Sequence, residues 1–104
     1  MSDHPKLSLE ILSGPLDGEN ITLTTETEWS RAPGSPLSFP WDDDLGEPQA
    51  RFVLRESGWR LEPAESKRGT HLLRPEAEDH LPDDLQPGDI LNASSTWLKI
   101  ISIV

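Results

Sequence analysis

An all-β domain with a thin two-layer core is the fold class this sequence predicts, and three observations point to it. Ten prolines, at positions 5, 15, 33, 36, 40, 48, 63, 75, 82 and 87, divide the 104 residues into pieces too short for ordinary helices. Within those pieces apolar residues recur at every second position, the period of a strand with one face on a core. Only 34% of residues are hydrophobic, and they come in short runs, which suits two packed layers better than a thick single core. A chain of 104 residues fits one domain. Residues 1–6 read as an N-terminal extension and 7–104 as the domain.

Taken in order, Leu7, Leu9 and Ile11 alternate with polar residues up to Gly14-Pro15. After Asp17-Gly18, Ile21 and Leu23 do the same, so the chain opens on a strand pair. Ala50, Phe52 and Leu54 share one parity; Ser57-Gly58 turns the chain, and Trp59 and Leu61 continue the alternation, which predicts a hairpin. Ile90 follows the turn Pro87-Gly88-Asp89. The closing run from Trp97 to Val104 is rich in β-branched residues and reads as a last strand buried on both faces. Residues 31–48 and 63–84, rich in Pro, Gly, Ser and acids, are expected to be the long loops and the place where function sits.

Nine basic and nineteen acidic residues give a formal charge of −10, which repels nucleic acid and anionic membranes. The bases are unevenly placed: Arg51, Arg55, Arg60, Lys67, Arg68 and Arg74 crowd residues 51–74 beside three acids. Such a cluster either orients the molecule on a partner or consists of charges alternating outward along solvated strands. Without cysteine there are no disulfides, thiolate metal sites or thiol nucleophile. The N-terminus lacks the build of a signal peptide and no apolar run approaches membrane-spanning length, so a cytoplasmic setting is expected.

Three motifs carry more specific information: Gly58-Trp59-Arg60-Leu61, Ser66-Lys67-Arg68-Gly69-Thr70 and Leu85-Gln86-Pro87-Gly88-Asp89-Ile90. Together they resemble the second half of a forkhead-associated (FHA) domain. The resemblance extends over roughly residues 7–103. It implies an FHA-like (SMAD/FHA) β-sandwich of two twisted antiparallel-type sheets with eleven strands, in a family that reads phosphothreonine peptides. Residue by residue, the scaffold agrees and the phosphate grip does not. Trp29-Ser30-Arg31 stands at the family's Gly-Arg and keeps the arginine. In the Ser-Arg-x-His-Ala segment Gly46 replaces the serine, Glu47 the arginine and Gln49 the histidine, and Ala50 agrees. In the following turn Ser66, Gly69 and Thr70 agree, Arg68 replaces an asparagine, and Leu73 lies where a second asparagine is expected. Leu85, Gly88, Asp89 and Ile90 agree throughout.

The replaced residues are those that supply a hydroxyl, a cation and amide donors to a phosphate and its peptide. The resemblance therefore implies a noncatalytic protein-docking module that has become independent of phosphate, with another protein or peptide as partner and no cofactor. Its candidate contact residues are Arg31, Trp41, Gly46, Glu47, Ser66, Lys67, Arg68 and Thr70. Arg31 and Glu47 are expected to pair across the former phosphate site. Alternatively, Arg31, Lys67 and Arg68 build a different anion site with guanidinium forks, and the chain remains a phosphothreonine reader in a kinase pathway. Degenerate domains of this kind also resemble the cytoplasmic part of bacterial type III secretion basal bodies, which is a third setting.

Other chemistry finds little support. Asp42-Asp43-Asp44 lacks calcium-loop spacing and reads as a solvated turn. His4, His71 and His80 show no metal-ligand spacing, and no nucleophile elbow or phosphate-binding glycine loop occurs. Trp29, Trp59 and Trp97 are expected in the core. Trp41, in a loop between Phe39-Pro40 and three aspartates, is the candidate aromatic anchor for a partner.

Overall fold

The computed structural model describes residues 5–56, 58–64, 69–73 and 84–104. Nine strands are found among them: β1 Leu7–Ile11, β2 Asn20–Leu23, β3 Thr27–Ser30, β4 Leu37–Ser38, β5 Ala50–Arg55, β6 Gly58–Pro63, β7 His71–Leu73, β8 Ile90–Ala93 and β9 Thr96–Ile103. The eleven strands implied by the resemblance are therefore not all present among the described residues. They form two sheets, one of order β2-β1-β9-β8-β7 and the other β4-β3-β5-β6. All pairings are antiparallel except the short parallel contact of β3 with β4.

The alternation read from the sequence produces the core directly. Leu7, Leu9 and Ile11 from β1 face Leu98 and Ile100 of β9 and Leu91 of β8, and all six are fully buried. From the other sheet Trp29, Ala50, Phe52, Trp59 and Leu61 fill the same layer. Trp59 is anchored at both ends of its chemistry: the indole is buried, and its Nε1–H donates to the Pro5 carbonyl at 2.9 Å.

Two expected loops contain strands. β4 is only two residues long and sits inside the Pro/Ser-rich 31–48 segment, while β7 lies inside 63–84. Both are sheet edges, where neighbouring backbone supplies the pairing that local propensity does not. The closing strand also departs from expectation, because only one of its faces is buried. Leu98 and Ile100 point inward, whereas Trp97 and Ile101 are each about two-fifths exposed. A register shift against β1 between Ser8 and Leu9 absorbs one extra residue of β9 and returns Ile103 to the core side. Trp97 is thus an outward residue and not the core residue the sequence suggested.

The outer face of the β4-β3-β5-β6 sheet explains half of the basic cluster. Arg51 pairs with Glu28 at 3.0 Å, Arg55 with Glu26 at 3.3 Å and Glu62 at 3.0 Å, and Arg60 with Asp84 at 2.8 Å. These are cross-strand neutralisations on a solvated face, so this part of the cluster offers no net positive field. Val53 shares that face and is 1% exposed, opposite Arg60 in the ladder and between Arg51 and Arg55 along β5. Lys67, Arg68 and Arg74 fall outside the described residues. Among the described residues no helix is long and apolar enough to cross a membrane.

Arg55→Ala is expected to cost about 0.2–1 kcal/mol, shrinking toward zero in molar salt, because its ion pairs are exposed and screened. Val53→Ala on the same face is expected to cost roughly 1–3 kcal/mol at any salt concentration, because it removes buried apolar contact. Urea unfolding of both variants at low and high salt separates the two contributions.

Candidate functional site

Lys6 and Val104 exchange backbone hydrogen bonds, each N–H donating to the other's carbonyl, and lie together at one pole of the sandwich. β9 begins at the other pole, where the Ser94-Ser95 turn joins it to β8. The loops after β3 and β4, with Gly69 and Thr70 ahead of β7, come together at this second pole, held there by two buried polar side chains.

Gln49 is the first. It is fully buried at the start of β5, its Oε1 accepts from the Gly46 N–H at 2.8 Å, and its Nε2 donates to the Thr70 hydroxyl at 2.7 Å and the Gly69 carbonyl at 3.2 Å. One amide thereby fixes the 46–49 segment to the arrival of the chain at β7. The replacement of histidine by glutamine read from the sequence is therefore not a loss of function in the loop: both side chains offer hydrogen-bonding groups at two ends, and here the amide serves as a strut.

Asp42 is the second, and it corrects the expectation of a solvated acidic turn. It is 4% exposed. Its Oδ1 accepts from the Ser94 hydroxyl at 2.6 Å, and its Oδ2 accepts from the Thr96 hydroxyl at 2.7 Å and the Ser95 N–H at 3.1 Å. Charge-assisted bonds of this kind offset the desolvation of a carboxylate. They also hold Ser94 at φ 55°, a left-handed conformation that a residue with a side chain adopts only when its surroundings enforce it. Asp43 remains exposed and Asp44 half-buried.

Between these struts lies the position where the resemblance puts the phosphate grip. Arg31 follows β3, and its N–H donates to the Gly46 carbonyl at 3.0 Å. Its guanidinium meets the Glu47 carboxylate at 2.9 Å, with both side chains about half exposed. The expected pairing across the site is thus present. Gly46 is tightly enclosed: a Cβ built on it would lie 2.9 Å from the Pro48 carbonyl oxygen and 3.1 Å from the Gln49 Cα. The Glu47-Pro48 peptide is cis. A serine at 46 would collide with backbone, so the loop path itself is built for glycine.

Of the residues singled out from the sequence, the fold brings together Arg31, Gly46, Glu47 and, through Gln49, Thr70. Trp41 lies further along the same pole, beside the Asp42–Ser94 connection. Ser66, Lys67 and Arg68 fall outside the described residues. The two residues that sequence reasoning missed are Asp42 and Gln49. For Gln49 a signal was available, since it occupies the histidine slot of a pattern whose neighbours Ala50 and Trp59 agree. No group of His, Asp and Glu able to hold a metal occurs among the described residues.

At the level of sequence, no family model and no curated protein matches the chain. Solved structures do. The FHA domain of an Arabidopsis thaliana hypothetical protein superposes with a TM-score of 0.77 at 20% identity, covering 97% of this chain and 91% of that one. An FHA domain studied for phosphothreonine-dependent interactions gives 0.75 at 14% identity, covering 93% and 96%. The FhaA FHA domain, crystallised with the intracellular domain of Rv3910, gives 0.73 at 15%, covering 90% and 98%. The fold is that of an FHA domain. Coverage is high in both directions for all three, so the likeness runs over most of the sandwich.

Gln49→Ala is expected to cost about 1–3 kcal/mol, since it removes the buried hydrogen bonds that the amide makes to the Gly46 N–H, the Gly69 carbonyl and the Thr70 hydroxyl. In amide spectra the Gly46, Gly69 and Thr70 signals should broaden or move while those of Lys6 and Val104 at the far pole stay in place. Equal perturbation of both poles would contradict the strut.

Proposed function

We propose that this protein is a noncatalytic docking module that binds a protein partner through its loops, 31–48 and 64–70, or a sheet face, without requiring phosphothreonine. The observation that carries this reading is the Arg31–Glu47 pair. A carboxylate 2.9 Å from the guanidinium already occupies the cation that a phosphate would seek. It also places a negative charge in the path of an incoming dianion, and the formal charge of −10 adds to that repulsion. The enclosed Gly46 supports the same conclusion, since the hydroxyl donor expected there has no room to return. What remains is a set of loops on a sandwich, the usual position for recognition. Protein partners are in keeping with FhaA, whose FHA domain is complexed with the intracellular domain of another protein.

A phosphothreonine reader is the second reading. It is favoured by Arg31, which keeps the cation at the right place, and by a structural neighbour whose FHA interactions are phosphothreonine-dependent.

Calorimetric titration with matched phosphothreonine and threonine peptides decides between them. The docking reading expects no phosphate-dependent heat at millimolar protein, and partner capture unchanged by phosphatase. Saturable binding that needs the phosphate and disappears in Arg31→Ala would establish the second reading instead.

A further inference from the structure

Trp41 is exposed over 41% of its surface, yet it is held firmly in place. Its ring stands edge-on to the buried Phe39, with centroids 5.6 Å apart and planes at 83°. Its pyrrole edge lies against Gly14, where a Cβ would come within 2.8 Å of Nε1. Gly14 has φ 74° and carries no side chain, so the indole rests directly on backbone. The ring forms one wall of a concave pocket of about 340 Å³ completed by Asp43, Asp44, Ser94 and Ser95. Its floor is the buried Asp42 connection, so the walls are fixed by hydrogen bonds before any ligand arrives.

We infer that this pocket takes a cationic side chain, an arginine or lysine, from the partner. The charge of the site selects that occupant. Asp43 is exposed and pairs with no cation among the described residues, and the molecule as a whole is strongly acidic. An exposed indole next to carboxylates attracts a cation twice over, through the ring quadrupole and through Coulomb attraction in a partly desolvated recess. An anion or an uncharged apolar group gains neither. This inference rests on the docking reading above and specifies what the partner presents: a basic residue beside the segment that contacts the 46–49 loop.

The test is an amide and indole NMR titration with a glycine/serine pentapeptide bearing one central arginine, and twins bearing lysine, citrulline or glutamate. The Trp41 indole N–H, assigned with Trp41→Phe, is expected to move saturably with arginine and lysine, not with citrulline or glutamate, and less at 0.5 M salt. Asp43→Asn, an exposed and isosteric change that leaves the fold intact, should weaken the arginine peptide at least threefold, and Trp41→Leu at least tenfold. No saturable shift at tens of millimolar peptide overturns the inference. So does equal response to citrulline, an unchanged affinity in Asp43→Asn, or saturation by calcium chloride with no response to arginine. The two readings fail separately. If Arg31 and Glu47 variants leave partner capture unchanged while the arginine peptide still saturates, the docking pole is misplaced and the pocket stands. If partner capture survives phosphatase but ignores Trp41 and Asp43, only the pocket is lost.

Discussion

A carboxylate taken out of water must be compensated by donors, and Asp42 finds three of them on one short turn, from Ser94, Ser95 and Thr96. The geometry of the pole follows from that constraint. The turn between β8 and β9 can keep a serine in a left-handed conformation because the carboxylate holds it there, and the loop after β4 is tied to the opposite sheet in return. Gln49 makes the corresponding connection on the other side, between the 46–49 segment and the start of β7. Each strut links a loop of one sheet to an element of the other. The sandwich is therefore joined across its layers by polar bonds at the pole and by apolar packing through the middle.

This arrangement separates the side chains at the pole from the core of an FHA-like fold. Arg31, Glu47 and Gly46 lie on backbone whose position is set by Gln49, so changes in those side chains do not disturb the core. Burying a fully satisfied polar group costs little and fixes one conformation, which is what a recognition surface needs. A charge pair half open to solvent, such as Arg31–Glu47, contributes little stability.

Much of the fold could be read from the chain. The opening strand pair and the β5–β6 hairpin combine alternation with turn residues, Gly88-Asp89 is a turn signal followed by Ile90, and each element stands where the pattern put it. What could not be read has definite physical causes. β4 has two residues and no pattern of its own, and its strand character comes from β3 alongside it. In β9 both parities are apolar, so periodicity cannot say which side faces water; the packing of Leu98 and Ile100 against β1 decides, and leaves Trp97 outside. Three consecutive aspartates look uniformly solvated until long-range partners are known, and those of Asp42 lie more than fifty residues away. The Arg31–Glu47 contact was legible because a known pattern supplied the spatial adjacency that sequence separation conceals.

Lys6 and Val104 clasp each other through their backbone at the pole away from the loops. The backbone at Lys6 and at Val104 therefore stands side by side, like the stem of a lamp whose bulb faces outward. The Ser94-Ser95 turn stands the length of β9 away from that stem.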